Sequence, residues 1–375
     1  MGMLSYWEKS EMLDYDLVVV GAGITGMFCA LSYRKKYPDA RIAILERGLF
    51  SSGASTKNAG FACFGSLTEL MDDATKMDQD SMLNILELRV QGLALLRKEL
   101  GDNAIDYKPY GGYELFFEKT PKALDSIAHF NSLLRPIFNK DVYHLRPSKI
   151  KDFGFDTSNV IHLIENSFEG QINTGMMMQA LRSKLNKANV FFFSHTDVTH
   201  FDPDQKKVFI KSNTETISFK YEKLAICNNA FAKQFFENLE VYPGRGLVLV
   251  TAPIKDLKIK GTFHYDEGYF YFRNSGDRII FGGGRNVDFK KETTTAFGVN
   301  QKIKEKLLHD LKEFILPNST PSIEGEWSGI MAFGNNKIPL VKKMGDHCAI
   351  GVRLGGMGIA IGSKIGNDTA NLLMD

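Results

Sequence analysis

Three glycines and one carboxylate are the residues whose types and spacing most clearly indicate chemistry. Gly21, Gly23 and Gly26 stand in the pattern GxGxxG, and Glu46 follows Gly26 by twenty residues. Glycines at this spacing permit a tight turn and let the backbone approach a diphosphate at a helix N-terminus. A carboxylate at the position of Glu46 accepts hydrogen bonds from an adenosine ribose and repels a 2′-phosphate. These residues therefore predict a dinucleotide site that disfavours NADP.

The hydrophobic pattern supplies the elements that must position these residues. Residues 17–20 form an apolar run typical of a parallel strand buried on both faces, and the glycines follow at once. A helix over 27–33 and a strand over 41–45 complete a βαβ unit. A lone GxGxxG is a weak signal, but the motif together with this unit and the acidic residue favours nucleotide binding.

A second glycine turn lies near the other end of the chain. Gly355, Gly356 and Gly358 precede a helix predicted over 359–373. Such a turn lets the backbone approach a planar ring, and donors at the helix start stabilise negative charge on that ring. A simple helix-capping turn is the alternative interpretation.

The segment 48–66, directly after the first nucleotide unit, is rich in small and polar residues and shows no clear period. Ordered loops of this length usually line a site, and a mobile connection is the alternative. For Lys57, a contact in the site and a solvated side chain both stay open.

Composition and charge exclude several classes of function. The 46 basic and 44 acidic residues give a formal charge of +2, which does not support nucleic acid or an anionic membrane as a partner. We predict no membrane span and no secretory signal, because neither apolar pattern is present. The four cysteines form no CxxC pair and the eight histidines show no metal spacing. We therefore expect free thiols, no metal and a cytoplasmic location.

The order of the predicted elements indicates two domains that alternate along the chain. A helix over 81–100 leaves the nucleotide fold, and aromatic and β-branched segments over 247–251, 268–272 and 278–282 indicate an antiparallel sheet. We predict an α/β fold in which a Rossmann-like dinucleotide-binding domain is interleaved with an α+β substrate domain on a mainly antiparallel sheet. The predicted boundaries are 1–80, 165–230 and 325–375 for the nucleotide domain, and 81–164 and 231–324 for the substrate domain.

Several segments, in sequence order, carry a family resemblance. They are DLVVVGAGITG, ILER, SSGASTKNAGF, AICNNAF, PGRGLVLVTAP, FRNSGDRIIFGGGR and VRLGGMGIAIGSKIGNDTANLL. Together they resemble FAD-dependent oxidoreductases of the D-amino acid oxidase superfamily over nearly the whole chain. Within it the chain looks most like the branch of glycine oxidase, sarcosine oxidase and especially γ-glutamylputrescine oxidoreductase. The resemblance implies that FAD is bound by Gly21, Gly23, Ile24, Thr25, Gly26, Glu46, Arg47, Ser52, Ala54, Ser55, Lys57, Asn58, Ala59, Gly60, Val198, Asn228, Asn229, Gly355, Gly356, Met357, Gly358 and Ile359.

The stretch EWSGIMA, residues 326–332, departs from the family pattern. Relatives that act on amino acids carry an arginine soon after the tryptophan and glycine of this stretch, and none is present here. The cysteine that binds flavin covalently in sarcosine oxidases is also absent, so we expect noncovalent FAD. The candidate residues of the substrate pocket are Arg273, Tyr271, Arg353 and Met331, with a surface salt bridge as the alternative for either arginine, while Arg245 is expected to be structural.

The resemblance implies a reaction in which hydride passes to flavin N5 from the carbon beside an amine or amino acid nitrogen. The resulting imine hydrolyses, and the flavin supplies the chemistry, so no catalytic residue is predicted. The lysine that promotes reaction with oxygen in sarcosine oxidases matches the apolar Ile280, so either O2 or a redox partner is the acceptor. A flavin-binding protein without this activity and an FAD monooxygenase are the alternatives.

Overall fold

Helices and strands alternate along the part of the chain that the computed structural model describes, residues 4–119, 121–211 and 216–374. The helices are α1 (Tyr6–Glu11), α2 (Ile24–Lys36), α3 (Leu67–Lys76), α4 (Gln79–Leu100), α5 (Lys122–Phe138), α6 (Pro147–Phe153), α7 (Thr174–Lys187), α8 (Phe289–Glu292), α9 (Gln301–Asp310) and α10 (Gly358–Asn371). The strands are β1 (Asp14–Val20), β2 (Ile42–Leu45), β3 (Phe61–Ala62), β4 (Gly112–Phe116), β5 (Tyr143–Leu145), β6 (His162–Asn166), β7 (Gly170–Gln171), β8 (Phe191–Phe193), β9 (Val198–Asp202), β10 (Lys207–Lys211), β11 (Thr216–Ile226), β12 (Tyr242–Thr251), β13 (Thr262–Tyr265), β14 (Phe270–Ser275), β15 (Arg278–Gly283), β16 (Ile323–Phe333), β17 (Leu340–Lys343) and β18 (Cys348–Val352).

A mainly parallel sheet, here called the parallel sheet, has the strand order β17-β18-β11-β1-β2-β8, with β10 and β9 continuing beside β11. Val19 of β1 lies opposite Ala225 of β11 on one side and Ile44 of β2 on the other, both in parallel register. All three side chains are buried, as a strand covered on both faces requires. The Rossmann-like unit predicted from the apolar runs is thereby confirmed.

The second large sheet, here called the antiparallel sheet, has the order β16-β12-β15-β14-β13-β4-β6-β5. Its neighbours pair antiparallel except β13 and β4, which run parallel. Along β14, Phe270 and Phe272 point into a buried aromatic core, where Phe272 stacks on Phe263 at 4.8 Å between ring centres. Tyr271 lies between them in sequence and therefore points to the opposite face. The mainly antiparallel sheet is confirmed.

Helix α3, which the hydrophobic pattern did not predict, begins at a local signal. The side chain of Ser66 accepts from the backbone N of Glu69, and the Glu69 carboxylate accepts from the backbone N of Ser66 at 2.9 Å. This capping box ends the long loop and starts the helix. The helix carries Glu69, Asp72 and Asp73 to the edge of the cavity described below.

One strand and one helix lie beside a different sheet from the one that the predicted boundaries suggest, and the domain division itself stays a prediction. Strand β16 joins the antiparallel sheet, although residues from 325 onward were assigned to the nucleotide domain. Helix α4 packs on α10 beside the parallel sheet, and a Cβ at its Gly92 would lie 2.1 Å from the carbonyl oxygen of Ala360. The helical period of α4 shows that one face is buried but not which sheet covers it.

The predictions for the cysteines and for a membrane span concern the chain as a whole. Cys29, Cys63, Cys227 and Cys348 are free and buried, which confirms the predicted free thiols. Among the described helices, none is both long enough and apolar enough to cross a membrane.

Candidate functional site

The turn between β1 and α2 forms the first part of the site. Gly21 has φ +103°, and a Cβ there would lie 2.9 Å from the carbonyl oxygen of Cys227. A Cβ at Gly26 would lie 2.0 Å from the carbonyl oxygen of Gly21, so the close contact of helix and strand requires glycine. The first turn of α2 has no side-chain cap of its own, and the backbone N of Ile24 donates to Oγ of Ser55 at 3.0 Å. The turn therefore presents backbone and a helix N-terminus to any anion beside it.

The buried carboxylate of Glu46 lies at the end of β2, next to this turn. Its Oε2 accepts from the backbone N of Ala22 at 3.1 Å. Its Oε1 accepts from the backbone N of Gly48 at 2.9 Å and from Oγ of Ser52 at 2.8 Å. These bonds hold the negative charge at the strand end, where the sequence predicts the adenosine ribose.

The long loop after Glu46 is an ordered structure that joins the two halves of the molecule. Its residues Ala54–Thr56 form a 3₁₀ turn. The carbonyl oxygen of Lys57 accepts from Nε1 of Trp327, in the antiparallel sheet, at 2.9 Å. Oδ1 of Asn58 accepts from the backbone N of Gly60 at 2.9 Å and from Oγ1 of Thr174 at 2.8 Å. The loop therefore lies across the cavity instead of forming a mobile connection.

The second glycine turn connects β18 to α10. Arg353, Gly355 and Gly356 all have positive φ, at +67°, +57° and +85°. The backbone N of Gly355 donates to the carbonyl oxygen of Ala332 at 3.0 Å, which fixes the turn against β16. Helix α10 begins at Gly358 without a side-chain cap, so its first N–H groups remain available to a ligand.

These parts face one cavity of about 650 Å³. Two of the predicted cofactor-binding residues, Gly26 and Gly60, lie behind its wall, and a Cβ at Gly60 would lie 2.4 Å from the carbonyl oxygen of Ile172. The predicted residues that line the cavity are Gly21, Gly23, Ile24, Thr25, Glu46, Arg47, Ser52, Ala54, Ser55, Lys57, Asn58, Ala59, Val198, Asn228, Asn229, Gly355, Gly356, Met357, Gly358 and Ile359.

The antiparallel sheet supplies the opposite wall of the cavity. Gly246 of β12 and Gly329 of β16 lie directly opposite each other. A Cβ at Gly246 would lie 3.0 Å from Cε of Met331 and 3.9 Å from the hydroxyl oxygen of Tyr271. A Cβ at Gly329 would lie 2.8 Å from Cβ of Lys57. Three side chains from three separate segments therefore converge over a pair of glycines.

Met331 also connects this wall to the second glycine turn, because its Sδ lies 3.6 Å from the position of a Cβ at Gly356. Beside it, the ring of Phe61 contacts the rings of Tyr271 and His264 edge to face, at 5.4 and 5.1 Å between centres. Burial raises the pKa of Tyr271 to about 12, so its hydroxyl stays protonated. Burial lowers the pKa of His264, so its imidazole is neutral at pH 7.

Two buried carboxyl groups lie behind this wall. Burial raises the pKa of both Glu114 and Glu169 to about 7, and hydrogen bonds from Thr68 and from the backbone N of Phe64 oppose the shift. Oε2 of Glu169 lies 3.9 Å from Nε2 of His264, a nitrogen with no hydrogen-bond partner among the described residues. A proton can therefore be held on more than one group near the cavity at neutral pH.

The structure gives the two candidate arginines protein partners. Arg273 is outside the cavity lining, and its guanidinium donates to the backbone carbonyl oxygens of Ala59, Asn274 and Ile172. Arg353 lines the cavity, but its guanidinium is engaged by the protein. Substrate binding by either arginine stays a prediction, and this geometry argues against both. The partners of Arg353 are Glu240, Asn336 and the carbonyl oxygen of Ile338.

Arg245, which the sequence suggested to be structural, forms a two-pronged ion pair with the buried Glu292. Its Nε and Nη2 donate to the two carboxylate oxygens at 2.9 Å each. Such planar pairing fixes both side chains. This arrangement supports the structural interpretation of Arg245.

The family of the chain is shown by comparison with known sequences. Residues 16–372 match the DAO family model, described as FAD dependent oxidoreductase. The chain belongs to this family. No curated protein sequence matches the chain significantly.

Solved structures of this fold cover nearly the whole chain at low identity. The glycine oxidase of Geobacillus kaustophilus has a TM-score of 0.77 and 20% identity, over 96% of this chain and 95% of that one. The L-proline dehydrogenase of P. horikoshii has a TM-score of 0.75 and 17% identity, with coverages of 96% and 94%. The L-amino acid deaminase of Proteus vulgaris has a TM-score of 0.75 and 14% identity, with coverages of 100% and 95%. At these identities the likeness confirms the DAO fold.

FAD is the cofactor of this family, and the cavity of the present chain fits it. In the glycine cradle, formed by Gly21, Gly23 and Gly26, an added Cβ would clash with its neighbours. The Glu46 carboxylate, the loop at Lys57 and the start of α10 follow one another along the cavity. We infer that the β1–α2 turn would hold the diphosphate, Glu46 the ribose and the second glycine turn the flavin ring. No group of three His, Cys, Asp or Glu side chains that suits a metal occurs in the described residues.

Among the residues of the cavity wall that sequence reasoning missed are His264 and Arg285. His264 lies within strand β13, which was not predicted, and its neighbours in space come from distant segments. Arg285 directly follows three glycines, residues 282–284, and such a run indicates a sharp turn.

Proposed function

We propose that this protein oxidises the C–N bond of a small amine or amino acid. The observation that carries the proposal is a continuous cavity that runs from the glycine cradle to a wall formed by Met331, Tyr271 and His264. The solved structures of similar fold, a glycine oxidase, a proline dehydrogenase and an amino acid deaminase, support the same substrate class. When bound, FAD supplies the acceptor for a hydride from the carbon beside the nitrogen.

The residues of the wall are suited to binding and orienting such a substrate. The glycines at 246 and 329 leave the sheet without side chains at the point where Lys57, Met331 and Tyr271 meet. Met331 and Phe61 give an apolar surface for the carbon chain, and the Tyr271 hydroxyl can donate a hydrogen bond. The pocket therefore combines apolar walls with a few directed polar groups.

His264 is placed to favour the neutral amine that the reaction requires. Its imidazole is buried and neutral, and its Nε2 has no hydrogen-bond partner among the described residues. Glu169, whose pKa burial raises to about 7, lies 3.9 Å behind it and can share a proton with it. We infer that this pair takes up the proton released by a bound ammonium group.

The test is anaerobic reduction of the purified flavoprotein. We expect the yellow absorption to bleach with one or more members of a panel of primary amines, secondary amines and amino acids, and NAD(P)H to have no rapid effect. A panel without effect on a protein that still holds FAD would reject the proposal and favour a flavin protein without this activity.

The electron acceptor is tested in the same sample by admitting air. Ile280 is half-buried on β15 and does not line the cavity, so no charged residue from that position promotes reaction with oxygen. We therefore propose that a redox partner and not O2 is the acceptor. Rapid return of the yellow colour in air would contradict this part.

The buried free thiols support the further prediction of a cytoplasmic location.

A further inference from the structure

The guanidinium of Arg285 is a positive charge in the cavity wall that forms no salt bridge with any described residue. Among the described residues, no carboxylate or carbonyl oxygen accepts a hydrogen bond from it. Its Cζ lies 3.9 Å from the ring centre of Phe333 and 4.9 Å from that of Phe289. Burial lowers the pKa of Arg285, but an arginine stays charged at physiological pH. The aromatic rings hold the flat guanidinium by its face and leave the N–H groups at its edge for another ligand.

The turn before Arg285 determines where this charge lies. Gly283 and Gly284 have φ of +107° and +73°, and a Cβ at Gly283 would lie 1.9 Å from the carbonyl oxygen of Tyr269. These glycines turn the chain back over strand β12. There, a Cβ at Gly244 would lie 3.3 Å from Nη1 of Arg285, so the position below the guanidinium also accommodates no larger side chain. The glycines at 244, 283 and 284 therefore leave the space that the side chain of Arg285 occupies.

Glu292, a carboxylate close enough to act on the charge of Arg285, is already paired with another arginine. Glu292 uses both carboxylate oxygens to bind Arg245, and Asn300 donates to one of them at 2.9 Å. A half-buried cation without a partner loses part of its hydration, and a bound anion offsets that loss. Arg285 therefore differs from Arg245, whose donors are engaged by the protein, and is available to a ligand.

The position of Arg285 determines how far the anion site lies from the expected place of the reacting carbon. Gly244 and Gly246 lie on the same face of β12, about 7 Å apart along the strand. Gly246 faces the tip of Met331 and the hydroxyl of Tyr271, and the same methionine contacts the second glycine turn. The anion site is therefore displaced along the strand from the place where the reacting carbon is expected.

An α-amino acid cannot span this displacement, because its nitrogen and its carboxylate share one carbon. An extended chain advances roughly 3.3–3.6 Å for every three bonds, so about 7 Å corresponds to about six bonds. The arginine of relatives that act on amino acids is replaced by Met331, so the planar guanidinium that takes their α-carboxylate is missing at the shorter distance, and Lys57, whose ammonium is a flexible point charge, lies on that side instead.

We propose that Arg285 binds the anionic end of the substrate, and that the substrate is an amine whose carboxylate is separated from the oxidised carbon by a spacer of several bonds. This inference rests on the proposed amine oxidation, which places the reacting carbon at the Met331 end of the wall. Arg285 thereby selects for substrate length.

The main test uses the wild-type holoenzyme and two matched series of compounds. One series is glycine and the terminal-amino carboxylic acids with four, six and eight carbons, and the other is the n-alkylamines of the same lengths. Anaerobic flavin reduction at low concentration gives a rate for each. We expect the six- or eight-carbon acid to exceed its matched alkylamine about 10- to 100-fold, the range of a charge-assisted pair, and glycine to be the slowest acid. Fastest reduction by glycine, or equal rates for acids and amines, would overturn the inference and leave amine oxidation standing.

A second test assigns the preference to Arg285. Arg285→Gln should lower the ratio of the long-acid rate to the matched alkylamine rate about 10- to 100-fold, and Arg285→Lys should retain part of the wild-type ratio. Lys290→Gln, an exposed position five residues on with the same change of charge, is the control and should keep the wild-type ratio. An unchanged ratio in Arg285→Gln would reject the assignment.

A binding measurement separates failure of this inference from failure of the proposed function. Saturated carboxylates of the same lengths cannot be oxidised as amines, and their binding is followed by the shift of the flavin absorption spectrum. We expect hexanoate to bind the wild type about 10- to 100-fold more tightly than it binds Arg285→Gln, with hexanamide binding both alike. If no amine reduces the flavin but this difference is present, amine oxidation is wrong and the anion site is correct. If amines reduce the flavin and the difference is absent, the anion site is wrong.

Discussion

The two sheets of this protein build their sides of the cavity by different means. The parallel-sheet side uses backbone: glycines at 21, 355 and 356 with positive φ, helix N-termini, and one carboxylate held by loop N–H groups. The antiparallel-sheet side uses side chains from separate strands, among them Met331, Tyr271 and His264. Where backbone binds a ligand, few residue types fit, whereas a wall of side chains can change its chemistry while the cofactor site stays the same. Cofactor and substrate specificity can therefore vary independently in this fold.

The largest expected effect comes from adding one carbon to the backbone-built side. Gly26→Ala places a Cβ 2.0 Å from the carbonyl oxygen of Gly21, so α2 must move away from β1. We expect a loss of about 3 kcal/mol or more in the free energy of unfolding and a colourless protein. Chemical denaturation and the ratio of flavin to protein absorbance measure this. Gly175→Ala, at an exposed position of α7 away from the cavity where the nearest atom to a Cβ is Oδ1 of Asn173 at 3.4 Å, is the control and should remain yellow and stable. A yellow Gly26→Ala protein of normal stability would show that backbone contact does not restrict this side.

An intermediate effect is expected from the buried carboxyl group behind the side-chain wall. Burial raises the pKa of Glu169 to about 7 from an ordinary value of 4.5, and Glu69 and Glu114 add to the rise. The folded state thus holds this proton more tightly, so the stabilisation is complete below pH 4.5 and is lost as the pH rises through 7. Glu169→Gln should flatten this decline, by up to about 3 kcal/mol between pH 5 and pH 8.

Thermal unfolding of the wild type and Glu169→Gln at intervals from pH 5 to pH 8 measures the difference in slope. Glu324→Gln, a change of the same type at an exposed position, should retain the wild-type slope. Identical slopes for wild type and Glu169→Gln would show that Glu169 is ionised throughout this range in the folded protein.

The smallest expected effect lies at the contact between the two sides. Trp327→Phe removes the hydrogen bond from the indole to the carbonyl oxygen of Lys57 while keeping most of the packing. We expect a loss of about 1 kcal/mol in the free energy of unfolding and weaker retention of FAD during gel filtration. Trp7→Phe, at a side chain that is 70% exposed, should change neither property. Normal FAD retention in Trp327→Phe would show that the loop is positioned without the antiparallel sheet.

The sequence was sufficient for the parallel-sheet side because the relevant residues are close together in the chain. The βαβ unit, the glycine turn and Glu46 lie within residues 14–46, and their spacing has few structural solutions. The end of the chain was similarly clear, since a glycine turn followed by a helix leaves a local pattern. The cofactor followed from these two segments and the resemblance they carry, and the family match agrees.

The antiparallel-sheet side was less predictable. Strands β13 and β16 and helix α3 were not predicted, and β16 joined the sheet that its position in sequence did not suggest. Arg273 looked available because it follows an aromatic strand, yet three backbone carbonyls accept from it. Whether an arginine is free depends on acceptors that lie far away in sequence, and composition does not contain that information.

By itself, the sequence of this protein determined the nucleotide cradle, the nature of the cofactor and the presence of two kinds of sheet. The cradle and the sheets depend on local conformational preferences, on glycine positions and on the alternation of apolar residues, all of which are short-range properties, and the cofactor follows from the family resemblance of the same segments. Only the tertiary structure decided which charged side chains form hydrogen bonds within the protein and that Lys57, Met331 and Tyr271 meet over two glycines. It also left Arg285 stacked on aromatic rings without a hydrogen-bond acceptor among the described residues. The reason is that hydrogen bonding, burial and the resulting pKa shifts arise from contacts between segments hundreds of residues apart.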